Sequence, residues 1–167
     1  MAKASLMALV LKTVCISFLI SFALAAEKLN VVGKVYCDTC RVEFETKLSE
    51  PISGATVKLE CKKEKDDVMT FSREAVTNAT GGYSIPVEGD HYEEICWVRA
   101  DKSPRADCNQ RMEAWERSQV ELSGKDGLAE PTRTANNLGF KKKEALPGCP
   151  QVLKEMGFPN GKVEPVP

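Results

Sequence analysis

The sequence predicts an all-β protein: a single antiparallel sandwich or small barrel, cross-linked by disulfides and ending in a short helix. Three observations carry this. Several short stretches alternate apolar and polar residues with a period of two. Turn residues rich in Gly and Pro separate them. An even set of cysteines follows an apolar leader.

The leader comes first. Lys3 and Lys12 precede or open an apolar run over residues 14–24, broken only by Ser17 and Ser21, and Ala23, Ala25 and Ala26 close it. This is the pattern of a secretory signal with a small-residue cleavage site, so residues 1–26 are expected to be removed. The run is shorter than the ~20 apolar residues a membrane span needs, and no later stretch is apolar enough to replace it. Removal leaves 21 basic and 24 acidic residues, a net charge of −3. That balance excludes a nucleic-acid footprint. It also leaves six cysteines: Cys37, Cys40, Cys61, Cys96, Cys108 and Cys149. In a secreted chain they read as a disulfide framework, whose fifteen possible pairings spacing alone does not resolve.

The strands follow in order. Residues 31–36 form the first, and Cys37 and Cys40 lie at its exit. Ala55, Val57, Leu59 and Cys61 share one face of the second, with Thr56, Lys58, Glu60 and Lys62 on the other. Residues 68–76 make the third. Tyr83, Ile85 and Val87 alternate with Ser84, Pro86 and Glu88, and Pro86, which lacks an N–H, gives that strand a free edge. Residues 95–100 and 119–122 supply two more. A turn or two of helix is expected over 111–117. A clearer helix covers 150–156, with Pro150 near its start and Gly157 as its stop. The folded domain therefore spans 27–157, and 158–167 is expected to be a disordered tail.

Two cysteines three apart suggest redox or metal chemistry as well as cross-linking. Thioredoxin-type activation needs a helix to follow the pair, whereas Arg41, Val42, Glu43, Phe44 and Glu45 alternate like a strand. Zinc would need a second such pair or a nearby His. Structural disulfides are the preferred reading, with no metal and no cofactor. His91, the only histidine, sits among Glu88, Asp90, Glu93 and Glu94 and reads as a solvated loop residue. No serine lies in a nucleophile elbow, so no catalytic residues are assigned and the protein is read as a non-enzyme. Asn78-Ala-Thr80 is an N-glycosylation sequon in a Gly-rich turn. Lys141, Lys142 and Lys143 read as a solvated basic run, Trp97 as core and Trp115 as partly exposed.

Three stretches together resemble the pollen Ole e 1 allergen family. They are Gly-Lys-Val-Tyr-Cys-Asp-Thr-Cys-Arg at 33–41 followed by Phe44, then Gly-Ala-Thr-Val-Lys-Leu-Glu-Cys at 54–61 leading to Thr77 and Gly81-Gly-Tyr83, and Asn-Leu-Gly-Phe at 137–140 followed by Ala145, Leu146 and Cys149. The resemblance implies a cysteine-stapled barrel or sandwich of about seven strands. Carried onto this chain, it implies the pairs Cys37–Cys108, Cys40–Cys149 and Cys61–Cys96. It implies a secreted plant protein, often an allergen, acting in pollen hydration, germination or pollen-tube growth. The expected partner is an extracellular protein or receptor-kinase ectodomain. The alternative is a cell-wall structural or polysaccharide-binding protein.

Overall fold

A computed structural model describes residues 28–125, 127–128, 130–161 and 163. The leader expected over 1–26 lies outside the described residues, as does the end of the expected tail. Ten strands and one helix are described: β1 (Lys28–Asp38), β2 (Glu50–Pro51), β3 (Thr56–Lys63), β4 (Met69–Val76), β5 (Gly82–Glu88), β6 (Glu94–Lys102), β7 (Cys108–Arg111), β8 (Arg117–Val120), β9 (Thr132–Thr134), β10 (Leu138–Lys142) and α1 (Cys149–Glu155).

They form two sheets. β1 is the hub of the first. Its N-terminal part pairs antiparallel with β5, from Lys28↔Glu88 to Lys34↔Gly82, and parallel with β9. Its C-terminal part pairs antiparallel with β2 and parallel with β10, which in turn pairs with β7. The second sheet is antiparallel throughout, in the order β4-β3-β6-β8. Of the expected sandwich or small barrel, the two sheets form the sandwich and neither closes into a barrel; two pairings of the first sheet are parallel where antiparallel was expected.

The core lies between the sheets. Val31 and Val35 of β1, Val57, Leu59 and Cys61 of β3, Ile85 and Val87 of β5, Cys96 and Val98 of β6, and Leu138 and Phe140 of β10 are all buried there. Burying each Val, Leu, Ile or Phe stabilises by about 1.5–3 kcal/mol, so the alternation predicted for β3 and β5 is the main source of cohesion. Gly33 is needed at its place in β1. It lies opposite Tyr83 in the ladder, and a Cβ there would sit 2.3 Å from the Tyr83 hydroxyl. The Gly keeps the backbone open for that ring.

Several elements differ from expectation. No helix forms over 111–117; those residues leave β7, turn, and enter β8. The Glu43 carboxylate accepts the Glu113 and Ala114 amides and fixes the turn between the two strands. The residues after Cys40 do not continue as a strand either. Arg41 and Glu43 have φ of 59° and 61°, a left-handed geometry that breaks any ladder. The strand expected at 119–122 starts two residues earlier, leaving Leu122 buried beyond its end. β5 pairs with β1 alone among the described residues, which suits Pro86.

Helix α1 has Pro150 in its first turn and ends at Gly157, whose φ is 96°. Its Val152 and Leu153 are buried. The first residues of the expected tail pack against the domain: Phe158 stacks on Phe44, with ring centroids 5.8 Å apart.

Candidate functional site

Three groups of side chains bear chemistry: the segment around Cys37 and Cys40, the cluster around His91, and the outer loops.

The first is a clamp. β1 delivers Cys37 to Cys108 at the start of β7, and the bend after β1 delivers Cys40 to Cys149 at the start of α1. The third disulfide, Cys61–Cys96, joins residues directly opposite in the β3–β6 ladder. Between the first two cysteines, Asp38 is fully buried. Its two carboxylate oxygens accept the Cys40 and Glu43 amides at 3.1 and 2.7 Å. The guanidinium of Arg41 donates to the Lys142 and Lys143 carbonyls and to Gln110. Asp38 and Arg41 are thus both tied into the frame of the clamp.

Lys141 and Lys142 are not a free basic run. Lys141 pairs with Glu43 at 2.5 Å and Lys142 pairs with Asp107, so their side chains cover the clamp. Burial pushes the Glu43 carboxyl up. Hydrogen bonds from Lys141 and from the Ala114 and Glu113 amides outweigh it and hold the group below the usual carboxylate range. A carboxyl lowered on folding lends stability above its unfolded pKa, and that contribution vanishes as pH falls through the folded value. Stability is therefore expected to drop in acid, and Glu43→Gln should flatten that limb of a denaturation-versus-pH curve. An unchanged acid limb in the variant would remove Glu43 from the account.

His91 is the second group, and it is not a solvated loop residue. It is 9 % exposed. A ring nitrogen lies 2.7 Å from a Glu94 oxygen, while Nε2 is buried without a partner. The ring meets Phe71 edge-on at 5.2 Å, and the His91 amide donates to the Leu122 carbonyl. Glu94 also accepts from Thr70. Burial raises the Glu94 carboxyl, yet the Thr70 and His91 hydrogen bonds bring it below the usual range. Among the described residues the ring hydrogen-bonds to Glu94 and holds no nucleophile as a histidine base would.

The outer surface offers aromatic groups. Trp97, expected in the core, is half-buried on the outward side of β6. The Arg117 guanidinium and the Lys62 ammonium lie 4.9 and 5.6 Å from its ring centroid. Trp115 is 48 % exposed. An open groove of about 660 Å³ is lined by Lys63, Glu64, Lys65, Asp66, Tyr92 and Glu93. The sequon's Asn78 is exposed, in the turn between β4 and β5. Its Oδ1 accepts the Thr80 and Gly82 amides and the Thr80 hydroxyl. Two N–H donors on that atom fix it as the oxygen, which leaves the amide nitrogen outside this bonding.

Two sheets, each with a disulfide of its own and a third bond tying α1 to the bend after β1, with aromatics and loops on the outside, define a cross-linked β scaffold. Its relatives are specific. A family model described as "Pollen protein Ole e 1 like" matches residues 27–157, and the chain belongs to that family. It is 47% identical to the anther-specific protein LAT52 of Solanum lycopersicum over 159 residues, 95% of this chain and 97% of that protein. It is 44% identical to the pollen allergen Che a 1 of Chenopodium album over 160 residues, 93% of this chain and 95% of that one. The crystal structure of the major plantain pollen allergen Pla l 1 matches with a TM-score of 0.66 at 34% identity, over 73% of this chain and 99% of that one. These relatives carry the names of pollen allergens and an anther-specific protein, not of enzymes.

Proposed function

We propose that this protein is secreted by pollen or its surrounding tissue and acts without catalysis. Its loops recognise an extracellular protein, such as a receptor-kinase ectodomain, during hydration, germination or pollen-tube growth. The observation that carries this reading is the group of strongly similar pollen and anther proteins that align over almost the whole chain. The disulfides support it, because such bonds persist in oxidising compartments. A rigid frame with mobile loops is a common design for recognition. Capture from pollen-tube and stigma membranes tests it. Saturable retention of one membrane protein, competed by untagged chain, is the expected result. Absence of saturable capture, or turnover of a wall polymer by the pure protein, overturns it.

A second reading, binding of cell-wall polysaccharide, is favoured by the open groove beside Tyr92, which is 60 % exposed. An aromatic face next to charged hydrogen-bonding groups suits a sugar ring. Retention on wall glycans that survives moderate salt and is lost in Tyr92→Ala would select it.

Asn78 is proposed to carry an N-linked glycan. Thr80 holds the side-chain oxygen, and the amide nitrogen lies in an exposed turn between strands, where a bulky sugar meets no core residue. Glycosidase treatment of plant-derived protein is expected to lower its mass, and Asn78→Gln to abolish that shift. An unchanged mass for the parent rejects the assignment.

A further inference from the structure

The geometry points to a second state of the Cys61–Cys96 disulfide: we propose that, when this bond is reduced, Cys61, Cys96, His91 and Glu94 form a binding site for a zinc-type divalent cation. One sulfur from each cysteine, a ring nitrogen of His91 and a carboxylate oxygen of Glu94 lie within 4.8 Å of one another. Four donors around zinc stand roughly 3.3–3.8 Å apart, given Zn–S of about 2.3 Å and Zn–N or Zn–O of about 2.0 Å in a tetrahedron. Once the bond is open, rotation about the two cysteine side chains moves the sulfurs apart to that spacing, and rotation of His91 and Glu94 brings the other two donors in.

The donor types fit. Two thiolates, an imidazole and a carboxylate form a set that zinc takes readily. The frame fits as well. Cys61 and Cys96 face each other in the β3–β6 ladder with Cα atoms 4.0 Å apart, and the pairing runs on through Leu59↔Val98 on one side and Lys63↔Glu94 on the other. Opening the bond leaves both sulfurs on the same face of the same two strands. His91 is held independently: its amide donates to the Leu122 carbonyl, its own carbonyl accepts the Glu94 amide, and Phe71 supports the ring.

The ring nitrogen Nδ1 lies 2.7 Å from a Glu94 oxygen, so these two donors already face each other, and a shared cation would replace that hydrogen bond. In the disulfide state the sulfurs are neutral and bonded to each other, so they are poor ligands; the thiolate is the form that binds metal. The disulfide and the metal are thus alternative occupants of one set of residues.

The redox step balances with a trialkylphosphine as reductant. Phosphorus takes the sulfur–sulfur bond apart and ends as phosphine oxide, with its oxygen from water and the two water protons on the sulfurs. Zinc then displaces both thiol protons.

The test uses the full processed chain without a polyhistidine tag, so that His91 is its only imidazole. Its imidazole nitrogen resonances are followed by NMR as one equivalent of zinc is added, with and without the phosphine. Expected is a shift in the reduced chain, none in the oxidised chain, and affinity weakened by about tenfold to a hundredfold or more in His91→Ala. The proposal is overturned if the reduced chain takes zinc while the His91 signal stays put, which would place the metal on other thiols. It is also overturned by an equal shift in the oxidised chain. A reduced chain that loses its sheet and regains neither sheet nor a shifted His91 signal on adding zinc overturns it as well.

Discussion

Replacing Cys40 and Cys149 together by serine is expected to release the C-terminal segment from the sheet and expose it to protease. This bond joins residues 109 apart in sequence, against 71 and 35 for the other two. In the loop-entropy account it contributes most, ~4.8 kcal/mol before native-state strain is considered. The remaining attachments of α1 are smaller. Val152 and Leu153 are buried, Phe158 stacks on Phe44, and the Leu146 amide donates to the Thr39 carbonyl. Lys47 pairs with Glu155 at the surface, and an exposed pair of that kind is worth ~0–1 kcal/mol. A helix of seven residues has no stability of its own in water. Limited proteolysis should therefore cut first beyond β10 in the double variant, while far-UV circular dichroism keeps its β signature. The midpoint of urea unfolding should fall as well. Cleavage at the parental rate would show that packing alone holds α1 and that this cross-link is redundant.

How much of this was legible in the sequence depends on which face each residue uses. β3, β5 and β6 have one buried and one outward face, so period-two alternation marks them. β10 does not. Leu138, Gly139 and Phe140 are all buried because Tyr36 and Met112 cover the side opposite the core. A Cβ on Gly139 would lie 2.6 Å from the Met112 methyl and 2.9 Å from the Tyr36 carbonyl. Three lysines after it then suggest a solvated run. β7 and β9 carry Asn, Gln, Thr and Arg, and only their partners make them strands. The parallel pairings of β1 with β9 and β10 join segments about a hundred residues apart, beyond the reach of any local pattern.

Site residues divide in the same way. The cysteines announce themselves, but their spacing leaves fifteen pairings open. Two of the observed pairs tie the end of β1 and the bend after it to β7, which lies beyond β10, and to α1, and the third joins facing residues of β3 and β6. The acidic neighbours of His91 suggest solvent in the sequence. Asp90 and Glu93 do face outward, yet Glu94 turns back to meet the ring. The size of Trp97 suggests the core, but its neighbours Cys96 and Val98 take the inner face, so alternation sends the indole outward, where two cations cover it.

The second large effect is expected at Asp38, where Asn replaces the acid with no change of shape. Asp38 sits between the two clamp cysteines, fully buried. Each of its oxygens accepts one backbone amide, Cys40 on one and Glu43 on the other. An Asn has a single oxygen, so in either orientation one of those amides meets an NH₂ group. One charge-assisted hydrogen bond, worth about 1.5–3 kcal/mol, is lost, and a buried donor is left unpaired at a further cost of about 1–3 kcal/mol. The bend it supports already contains two residues with positive φ, Arg41 and Glu43, and Glu43 in turn holds the turn after β7 and Lys141. Loss of the anchor should therefore spread from the clamp to β7 and β10. Asp38→Asn is expected to lower unfolding free energy by roughly 2.5–6 kcal/mol. Asp66→Asn, an exposed turn acid that accepts the Val68 amide at 3.2 Å, should stay within about 0.5 kcal/mol of the parent. Urea denaturation of both variants with all disulfides intact makes the comparison. Equal, small losses would mean that the buried carboxylate is not what holds the bend, and that the two cross-links beside it suffice.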